Sequence, residues 1–525
     1  LVPEGSYASS NETAYGAARV AEFRTMVGAL HAMGLRVVLD QVYNHTHIAG
    51  QDPASVLDRI VPGYYHRREP DGHIYTSAAG ANVATEHVMA GKLMVDAVVS
   101  WARHYRIDGF RFDLMGFHSR EQMLAVRAGL DALTIGADGI DGRTIQLYGE
   151  GWDFGEVSGN AVFDQAIQGA LGGTRIATFS DRLRDALRGG AAFDSDPRRQ
   201  GFATGLATDP NDGIADGEEW WQLAGATDLV MLGLAGNLAA YRFRSATGAD
   251  VTGDQVRYGG LGAGYAVQPD EVVSYVDAHD NETLFDALTL KLPTHIAMTD
   301  RVRMNTLALT VVALAQTPCF WHAGADLLRS KSLDRNSYNH TDWFNRLDWS
   351  GEDNGSARGL PPAADNAGQW ATMRTALADE RLRPTASDVA AATACAQDAL
   401  RLRYSTPLFR LGDAALIQEK VGFPVSGGPD AIAGVIAMLI DDRLGNLSGQ
   451  DADPTLDAVL VVINATPAEQ HQRVPSLRGM PFILSPIQAD GADPVVRQSS
   501  WLSDEATAVV PARTVAVFIA PSSTS

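Results

Sequence analysis

The sequence predicts an α/β fold, with a (β/α)8 barrel over residues 1–405 and an all-β sandwich over residues 406–525. Helical and strand patterns alternate through the first part, and polar residues collect where the strands end, which favours a barrel over a doubly wound sheet. The last part consists of short apolar runs between turns, a pattern typical of a sandwich. No glycine-rich dinucleotide loop appears in the chain.

The alternation begins with a helix from Ala17 to Met33, where apolar residues recur at helical spacing until Gly34 ends the pattern. The strand "LRVVLDQVYNH" follows, and a helix from Glu86 to Tyr105 leads into the strand "RIDGFRFDLM". Further strands are predicted at "TIQLYGE", "RIATFSD", "VVSYVDAHD" and "TPCFWHAG", with helices at residues 181–187 and 301–314. Residues 194–260 show no clean strand, which predicts a long insertion in a barrel loop.

The predicted sandwich follows a helix at residues 388–404. Its apolar runs are "GVIAMLI", "AVLVVINA" and "VAVFIAP", separated by turns rich in Gly, Pro and Asp. Runs of this length, bounded by turn residues, are typical of strands in an all-β domain.

Charge and hydropathy restrict the possible partners. The formal net charge is −21, and nucleic acid or anionic membrane would need clusters of Lys and Arg that the chain lacks. The longest apolar stretch, residues 306–314, is too short to cross a bilayer. A neutral substrate is compatible with this composition.

Alternation along two strands predicts which side chains enter the barrel. In "IDGFRFD" one face carries Ile107, Gly109, Arg111 and Asp113, while Phe110 and Phe112 face the covering helices. In "IQLYGE" the inward residues are Gln146, Tyr148 and Glu150, and the outward ones are Ile145 and Leu147. We therefore expect a guanidinium and two carboxylates at the mouth of the barrel, where the active sites of barrel enzymes lie.

Two further strand ends add candidates, Asp40 with His45 after the first strand, and His279 with Asp280 in "DAHDNET". A single Asp at a strand end is more often a cap or a loop acceptor than a catalytic group, but several acids converging on one pocket indicate function. Two carboxylates of opposite protonation suit cleavage of a glycosidic bond. Glu150 is predicted to be the proton donor, in an apolar or anionic setting that keeps it protonated.

The strand-end motifs "DQVYNH", "GFRFD", "GEGWD" and "YVDAHDN" resemble, in that order, those of glycoside hydrolase family 13, the α-amylase family. Longer stretches, among them "VPEGSY", "YGEGWDFGEV" and "LRSKSLDRNSYNHTDWFNRLDW", resemble its pullulanase and limit dextrinase group. The resemblance implies hydrolysis of α-1,6-glucosidic linkages in α-glucans with retention of configuration. It further implies that the first barrel strand and most of the second lie upstream of Leu1, so this chain alone is expected to be unstable.

The resemblance also implies roles for individual residues. Asp113 corresponds to the nucleophile, Glu150 to the acid/base and Asp280 to the carboxylate that stabilises the transition state. The implied sugar-binding residues are Asp40, His45, Asn82, Arg111, Leu114, Trp152, His279, Asp334, Arg335, Ser337 and Tyr338. Trp152 is expected to form the aromatic platform beyond the cleaved bond. Asn336 stands where relatives often carry Asp, and the cysteine usual before Asn82 is absent.

Alternatives remain at this point. Trp152 could instead pack in the core, and Asp334 and Arg335 could pair with each other on the surface. The enzyme could be an α-1,4-acting amylase or a glucanotransferase, or the protein could bind α-glucans without catalysis. The chemistry requires no cofactor. A structural calcium ion, a monomeric state and a secreted or cell-surface location of the full-length protein are expectations from the resemblance alone.

Overall fold

The computed structural model describes residues 16–192, 194–211, 217–443 and 449–522, and the chain divides into two compact units, residues 1–179 and 180–525. The motif "VPEGSY" lies outside the described residues. The predicted domain boundary at residues 405/406 lies inside the second unit and stays a prediction.

The first unit is built on parallel strands that follow one another in chain order. They are Val38–Gln41, Gly109–Phe112, Gln146–Gly149 and Ile176–Ser180. Asp40 pairs with Arg111, and Arg111 with Tyr148, so these three residues lie side by side across the sheet. The strand from Val38 is shorter than predicted, because the chain leaves the sheet after Gln41.

Three helices accompany these strands, Gly16–Ala32, Val88–Tyr105 and Arg120–Asp131. Phe110 and Phe112 are fully buried in one core with residues of these helices, as the alternation predicted. Ile145 and Leu147 lie in the same core, also as predicted. Ile107 was placed on the wrong face: it precedes the strand, so the alternation does not reach it, and it joins this core too.

The remaining elements of the first unit are short. The helices are Leu57–Ile60 and Ile135–Asp138, with 3-10 turns at Met115–Phe117, Gly142–Thr144 and Gly155–Asn160. A two-residue antiparallel pair joins His45–Thr46 to Ala81–Asn82. Ile135–Asp138 and Gly142–Thr144 lead into the strand from Gln146, whereas the other pieces lie in connections that follow strands, where the candidate residues lie.

The second unit begins with a largely helical part. Its longer helices are Asp181–Arg188, Glu219–Leu234, Leu284–Lys291, Met298–Ala313, Trp370–Ala378, Ala386–Ser405 and Ala414–Lys420. The shorter ones are Asp342–Asn345 and Ala363–Asn366, and one more short helix, Pro486–Ala489, lies between strands of the C-terminal part. The predicted strand "TPCFWHAG" is wrong: Cys319 makes a single parallel bridge to Ser274, at the end of strand Val272–Ser274.

Residues 194–260 contain a helix that the sequence interpretation missed, Glu219–Leu234. Its C-terminal half is apolar on nearly every side, and Val230, Leu232 and Leu234 are all fully buried, so no helical stripe stands out. The strands here are only two or three residues long: Arg242–Arg244 pairs with Asp250–Thr252, and Arg257–Tyr258 with Leu261–Gly262.

Two antiparallel sheets form the C-terminal part of the second unit, as expected of a sandwich. One contains Val421–Gly422, Val435–Asp441, Leu456–Asn464, Thr514–Pro521 and Ile483–Leu484 in that order, and the other Gln470–Arg473, Thr507–Val510 and Ser500–Leu502. Val435 and Ala437 face the second sheet's core, whereas Ile436 and Met438 join the core that contains helix Glu219–Leu234. Burial on both faces explains why these strands are continuously apolar.

Candidate active site

The guanidinium of Arg111 contacts three carboxylates in the first unit. Its Nη1 lies 2.8 Å from Oδ1 of Asp40 and 3.0 Å from Oδ1 of Asp113, and its Nη2 lies 3.2 Å from Oε1 of Glu150. Arg111 is 7% exposed. Burial disfavours its charged form, but the carboxylates of Glu150, Asp40 and Asp113 outweigh burial and raise the pKa of Arg111. The predicted convergence of Asp40, Arg111, Asp113 and Glu150 is found.

Asp113 is held at the end of its strand by groups from the neighbouring strand end. Its amide donates to the carbonyl of Gln41 at 2.9 Å. The side-chain amide of Asn44 donates to the Asp113 carbonyl at 2.7 Å and to its Oδ2 at 2.9 Å. With Arg111 on Oδ1 and Asn44 on Oδ2, the carboxylate is held in one orientation.

Glu150 is nearly buried and is oriented by the backbone that follows Asp113. Its Oε2 accepts a hydrogen bond of 2.7 Å from the amide of Leu114, a residue held in the left-handed region at φ 38°. Such a conformation is costly for leucine and persists where surrounding contacts require it. The expected apolar or anionic setting is therefore incomplete, because a guanidinium and an amide both face the carboxyl group of Glu150.

The two imidazoles near Asp113 have lowered pKa values. His118 is fully buried against the Thr85 hydroxyl, and burial, reinforced by the charge of Arg67, lowers its pKa to about 3. Burial also lowers the pKa of His45, whose Nδ1 contacts Oδ1 of Asn44. Both rings are therefore neutral near pH 7, and the positive charge against Asp113 is that of Arg111.

The loop that contains Trp152 is anchored by buried polar groups. Glu156 accepts two hydrogen bonds of 3.0 Å from the Asn82 side chain and one from Arg67 at 2.5 Å. Burial raises the pKa of Glu156, but the hydrogen bonds from Ser77, Arg67 and Asn82 outweigh burial and lower it. Asn82 is thus committed to holding Glu156, and its predicted contact with a sugar stays a prediction.

Trp152 is half-buried, and its backbone packs against a glycine after Asp113. A Cβ atom added at Gly116 would lie 2.1 Å from the Trp152 carbonyl oxygen, so only glycine permits this approach. Asp153, in contrast, is exposed and accepts from the amide of Gly159 at 2.9 Å. The three carboxylates of "YGEGWDFGEV" are therefore not equivalent, and Glu150 is the one that shares the guanidinium of Arg111 with Asp113.

The second unit carries the remaining candidates. His279 and Asp280 follow strand Val272–Ser274 with half-exposed side chains, 3.6 Å apart at Nε2 and Oδ1. Asp277, three residues before Asp280, is buried beside His322 instead. The side chains of His279 and Asp280 are therefore accessible to solvent, while Asp277 accepts a hydrogen bond from the amide of Leu284.

The predicted donor-side residues differ strongly in exposure. Asp334 is fully buried and accepts from His340, from Asn366 and from the amide of Asn336. Arg335 donates to Glu282 at 2.7 Å, so a surface pair between Asp334 and Arg335 is not formed. Ser337 is fully buried, whereas Tyr338 is 55% exposed. Contacts of Asp334, Arg335, Ser337 and Tyr338 with a sugar chain stay predictions.

The sequence interpretation gave no role to two residues that hold candidate groups, Asn44, which it placed in the loop after the first strand, and Lys331. Asn44 lies in the quoted motif "DQVYNH", and its place three residues after a strand end was the available signal. Lys331 lies in the quoted stretch "LRSKSLDRNSYNHTDWFNRLDW", but its buried contact with the His279 carbonyl depends on the tertiary fold and leaves no local pattern.

We expect Arg111→Met to lower the free energy of unfolding by about 3 kcal/mol at pH 8, because two nearly buried carboxylates lose their counter-charge. The loss should be smaller at pH 5: the uncompensated carboxyls take up protons in the folded state, so stability falls as pH rises. Urea unfolding followed by circular dichroism measures both values. Arg103→Met, which breaks an exposed pair with Asp138, is the control and should cost at most about 1 kcal/mol. Equal losses for the two variants would contradict a compensating role of Arg111.

Comparison with known proteins identifies the family. A family model described as alpha-1,6-glucosidases, pullulanase-type, C-terminal, matches residues 351–521. Pullulanase 1, chloroplastic, from Arabidopsis thaliana is 44% identical over 99% of this chain and 54% of its own length. The pullulanase of Klebsiella pneumoniae is 38% identical over 99% of this chain and 46% of its own length. The chain belongs to the pullulanase group of the α-amylase family.

Solved structures of pullulanase-group proteins agree with this membership. The maltotriose complex of PulA from Klebsiella pneumoniae superposes with a TM-score of 0.89 at 37% identity, covering 97% of this chain and 53% of that one. PulA from Klebsiella oxytoca gives a TM-score of 0.88 at 37% identity over 97% and 47%. The chain thus spans about half the length of the pullulanases it matches.

Proposed function

We propose that this chain carries the catalytic part of a starch-debranching glycoside hydrolase that cleaves α-1,6-glucosidic linkages in pullulan, amylopectin and limit dextrins. The observation that carries the proposal is the contact of one buried guanidinium, Arg111, with both Asp113 and Glu150 at the ends of adjacent parallel strands. Pairing of two carboxylates at strand ends is the arrangement that glycosidic cleavage requires. The α-1,6 linkage is inferred from the family model, whose description names alpha-1,6-glucosidases.

The mechanism is a double displacement. Asp113 attacks the anomeric carbon and forms a covalent glycosyl ester while Glu150 gives its proton to the leaving oxygen. Glu150 then removes a proton from water, which hydrolyses the ester with net retention. Asn44 and Arg111 hold the attacking carboxylate in place, and we assign Asp280 to the sugar hydroxyls and the developing positive charge. A separation of about 5 to 5.5 Å between the two carboxyl groups is expected for retention.

The remaining assignments belong to the same proposal. The catalytic part is a (β/α)8 barrel. The subsite that binds the sugar of the cleaved bond is lined by Asp40, His45, Asn82, Arg111, Leu114, Trp152 and His279. Asp334, Arg335, Ser337 and Tyr338 contact the chain on the donor side. Tyr338 is the most accessible of these four, which supports its contact with a sugar.

The chemistry needs no cofactor, and the expected calcium ion is given no role in any step. Among residues 16–192, 194–211, 217–443 and 449–522, no group of three or more His, Cys, Asp or Glu side chains is arranged to hold a metal ion. No helix in these ranges is long and apolar enough to span a bilayer. A monomeric state and a secreted or cell-surface location remain part of the proposal; the Arabidopsis relative is named chloroplastic.

Incubation of the full-length protein with pullulan tests the function. We expect maltotriose as the product, because hydrolysis of the α-1,6 linkages of pullulan releases maltotriosyl units. Linear amylose, which contains no such linkage, should remain intact and is the matched control substrate. Cleavage of amylose alone would point to an α-1,4-acting enzyme, and binding of pullulan without release of reducing ends to a non-catalytic protein.

A further inference from the structure

A strained turn in the second unit, residues 328–333, contacts the loop that carries His279 and Asp280. Three of its residues adopt left-handed backbone conformations, Leu328 at φ 54°, Ser332 at φ 57° and Leu333 at φ 67°. Non-glycine residues adopt this region at a cost in free energy and persist there only where the surroundings hold them. Strain of this kind often accompanies a functional constraint.

Hydrogen bonds from buried groups hold the turn. The carboxylate of Asp286, in helix Leu284–Lys291, accepts from the Ser330 hydroxyl and from the amide of Lys331 at 2.7 Å. Ser330 donates its amide to the Asn354 carbonyl at 2.7 Å. The backbone of Lys331 is therefore anchored directly to the helix that begins just after the "DAHDNET" motif.

The fully buried side chain of Lys331 extends from this turn to the motif. Its ammonium donates to the backbone carbonyl of His279 at 2.5 Å. Lysine is rarely buried completely, since desolvating an ammonium costs free energy that must be recovered elsewhere. A leucine or methionine would fill this space without the cost of desolvating a charge. The ammonium and its hydrogen bond to His279 therefore require an explanation beyond packing.

Charged groups of both signs surround the ammonium. Burial, with the charge of Arg329 adding to it, lowers the pKa of Lys331 to about 8, while Asp277, Asp286 and Asp280 oppose this shift. The groups that face it are Asp277, His279 and Asp280 from the motif, Asp286 from the following helix, Arg329 from its own turn, and His322, which contacts both Asp277 and Arg329. Asp280 is the half-exposed carboxylate of this set.

We propose that Lys331 is a positioning residue, whose ammonium fixes the His279 carbonyl and thereby holds the Asp280 carboxylate in the orientation that catalysis needs. The inference rests on the proposed function, in which Asp280 stabilises the transition state. The His279 carbonyl belongs to the peptide bond that joins His279 to Asp280, so fixing it sets where the Asp280 side chain leaves the backbone, and a misplacement of about 1 Å can cost about 100-fold in rate.

This role has a consequence for pH. Lys331 is charged below its pKa and neutral above it, so the hold on His279 weakens as pH rises through about 8. Deprotonation of Glu150 would also lower the rate on pullulan. With that substrate it would therefore hide the contribution of Lys331. A substrate with fluoride as leaving group, α-maltotriosyl fluoride, needs no proton from Glu150 and exposes the contribution of Lys331.

The experiment measures kcat and KM of the full-length protein on α-maltotriosyl fluoride from pH 5 to 10. We expect wild-type kcat/KM to fall above pH 8, and Lys331→Met to lower kcat at pH 6.5 by about 100-fold, with KM nearly unchanged and no fall near pH 8. Arg329→Met is the second variant. Because the charge of Arg329 lowers the pKa of Lys331, this variant should move the fall to higher pH.

Each outcome decides the assignment. Wild-type kcat in Lys331→Met, or a fall near pH 8 that persists in this variant, would overturn it. If Lys331→Met fails to fold, as circular dichroism would show, an unshifted profile in Arg329→Met still overturns it and a shifted one supports it. A wild-type protein that cleaves neither pullulan nor the fluoride contradicts the proposed function itself, and the assignment with it.

Discussion

Asp113→Asn is expected to lower kcat by about 10⁴-fold or more, on pullulan and on α-maltotriosyl fluoride alike. The carboxylate forms the covalent bond to the anomeric carbon, and an uncharged amide oxygen is a poor nucleophile. Because the first step fails, the nature of the leaving group should not matter. Initial rates of reducing-end and fluoride release measure the two losses.

The fold should survive this substitution. Asn has the size of Asp, and its oxygen can still accept from Asn44 or Arg111. Asp153→Asn is the matched control, since Asp153 lies exposed in the loop after Glu150 and should leave kcat within about twofold of wild type. Substantial turnover of the fluoride by Asp113→Asn would show that another group is the nucleophile.

Glu150→Gln is expected to separate the two substrates. Turnover of pullulan should fall by about 10³-fold, because its leaving oxygen needs a proton that glutamine does not supply. The fluoride ion leaves without protonation, so the glycosyl ester on Asp113 should still form from α-maltotriosyl fluoride. Hydrolysis of that ester should be slow, because water has lost its general base, and the intermediate should accumulate.

Two measurements follow for Glu150→Gln. Mass spectrometry of the digested protein should find a maltotriosyl group on the peptide that contains Asp113. Azide, an anion that needs no base, should restore turnover and give α-maltotriosyl azide, with the configuration of the substrate. A β-configured azide would contradict the double displacement, and equal losses on both substrates would contradict the acid/base role of Glu150.

Much of the first unit was predictable because its strands alternate simply. Phe110 and Phe112 are apolar and alternate with Arg111 and Asp113, so a single strand assignment separates the core from the site. The prediction failed where the apolar residues of an element do not recur at a regular spacing. Helix Glu219–Leu234 is apolar on too many sides to show a stripe, and "TPCFWHAG" contains the residues of a strand but makes only one bridge.

The candidate site divides in the same way. The strand-end motifs indicated Asp113, Glu150 and Asp280 together with Asp40, His45, Arg111 and His279, since polar residues at the carboxyl ends of parallel strands meet at one edge. The motifs did not indicate how these groups are held. Asn44 on Asp113, the Leu114 amide on Glu150 and the burial of Asp334 are properties of the folded chain.

By itself the sequence determined the parallel α/β pattern, the β-rich C-terminal part and the acids of the candidate site, because local periodicity and short motifs encode these features. Only the tertiary structure decided that one guanidinium serves three carboxylates, that Asp334 is buried while Tyr338 is exposed, and that Lys331 reaches His279. The physical reason is distance along the chain. Lys331 and His279 are 52 residues apart, and a contact between residues so distant leaves no local pattern.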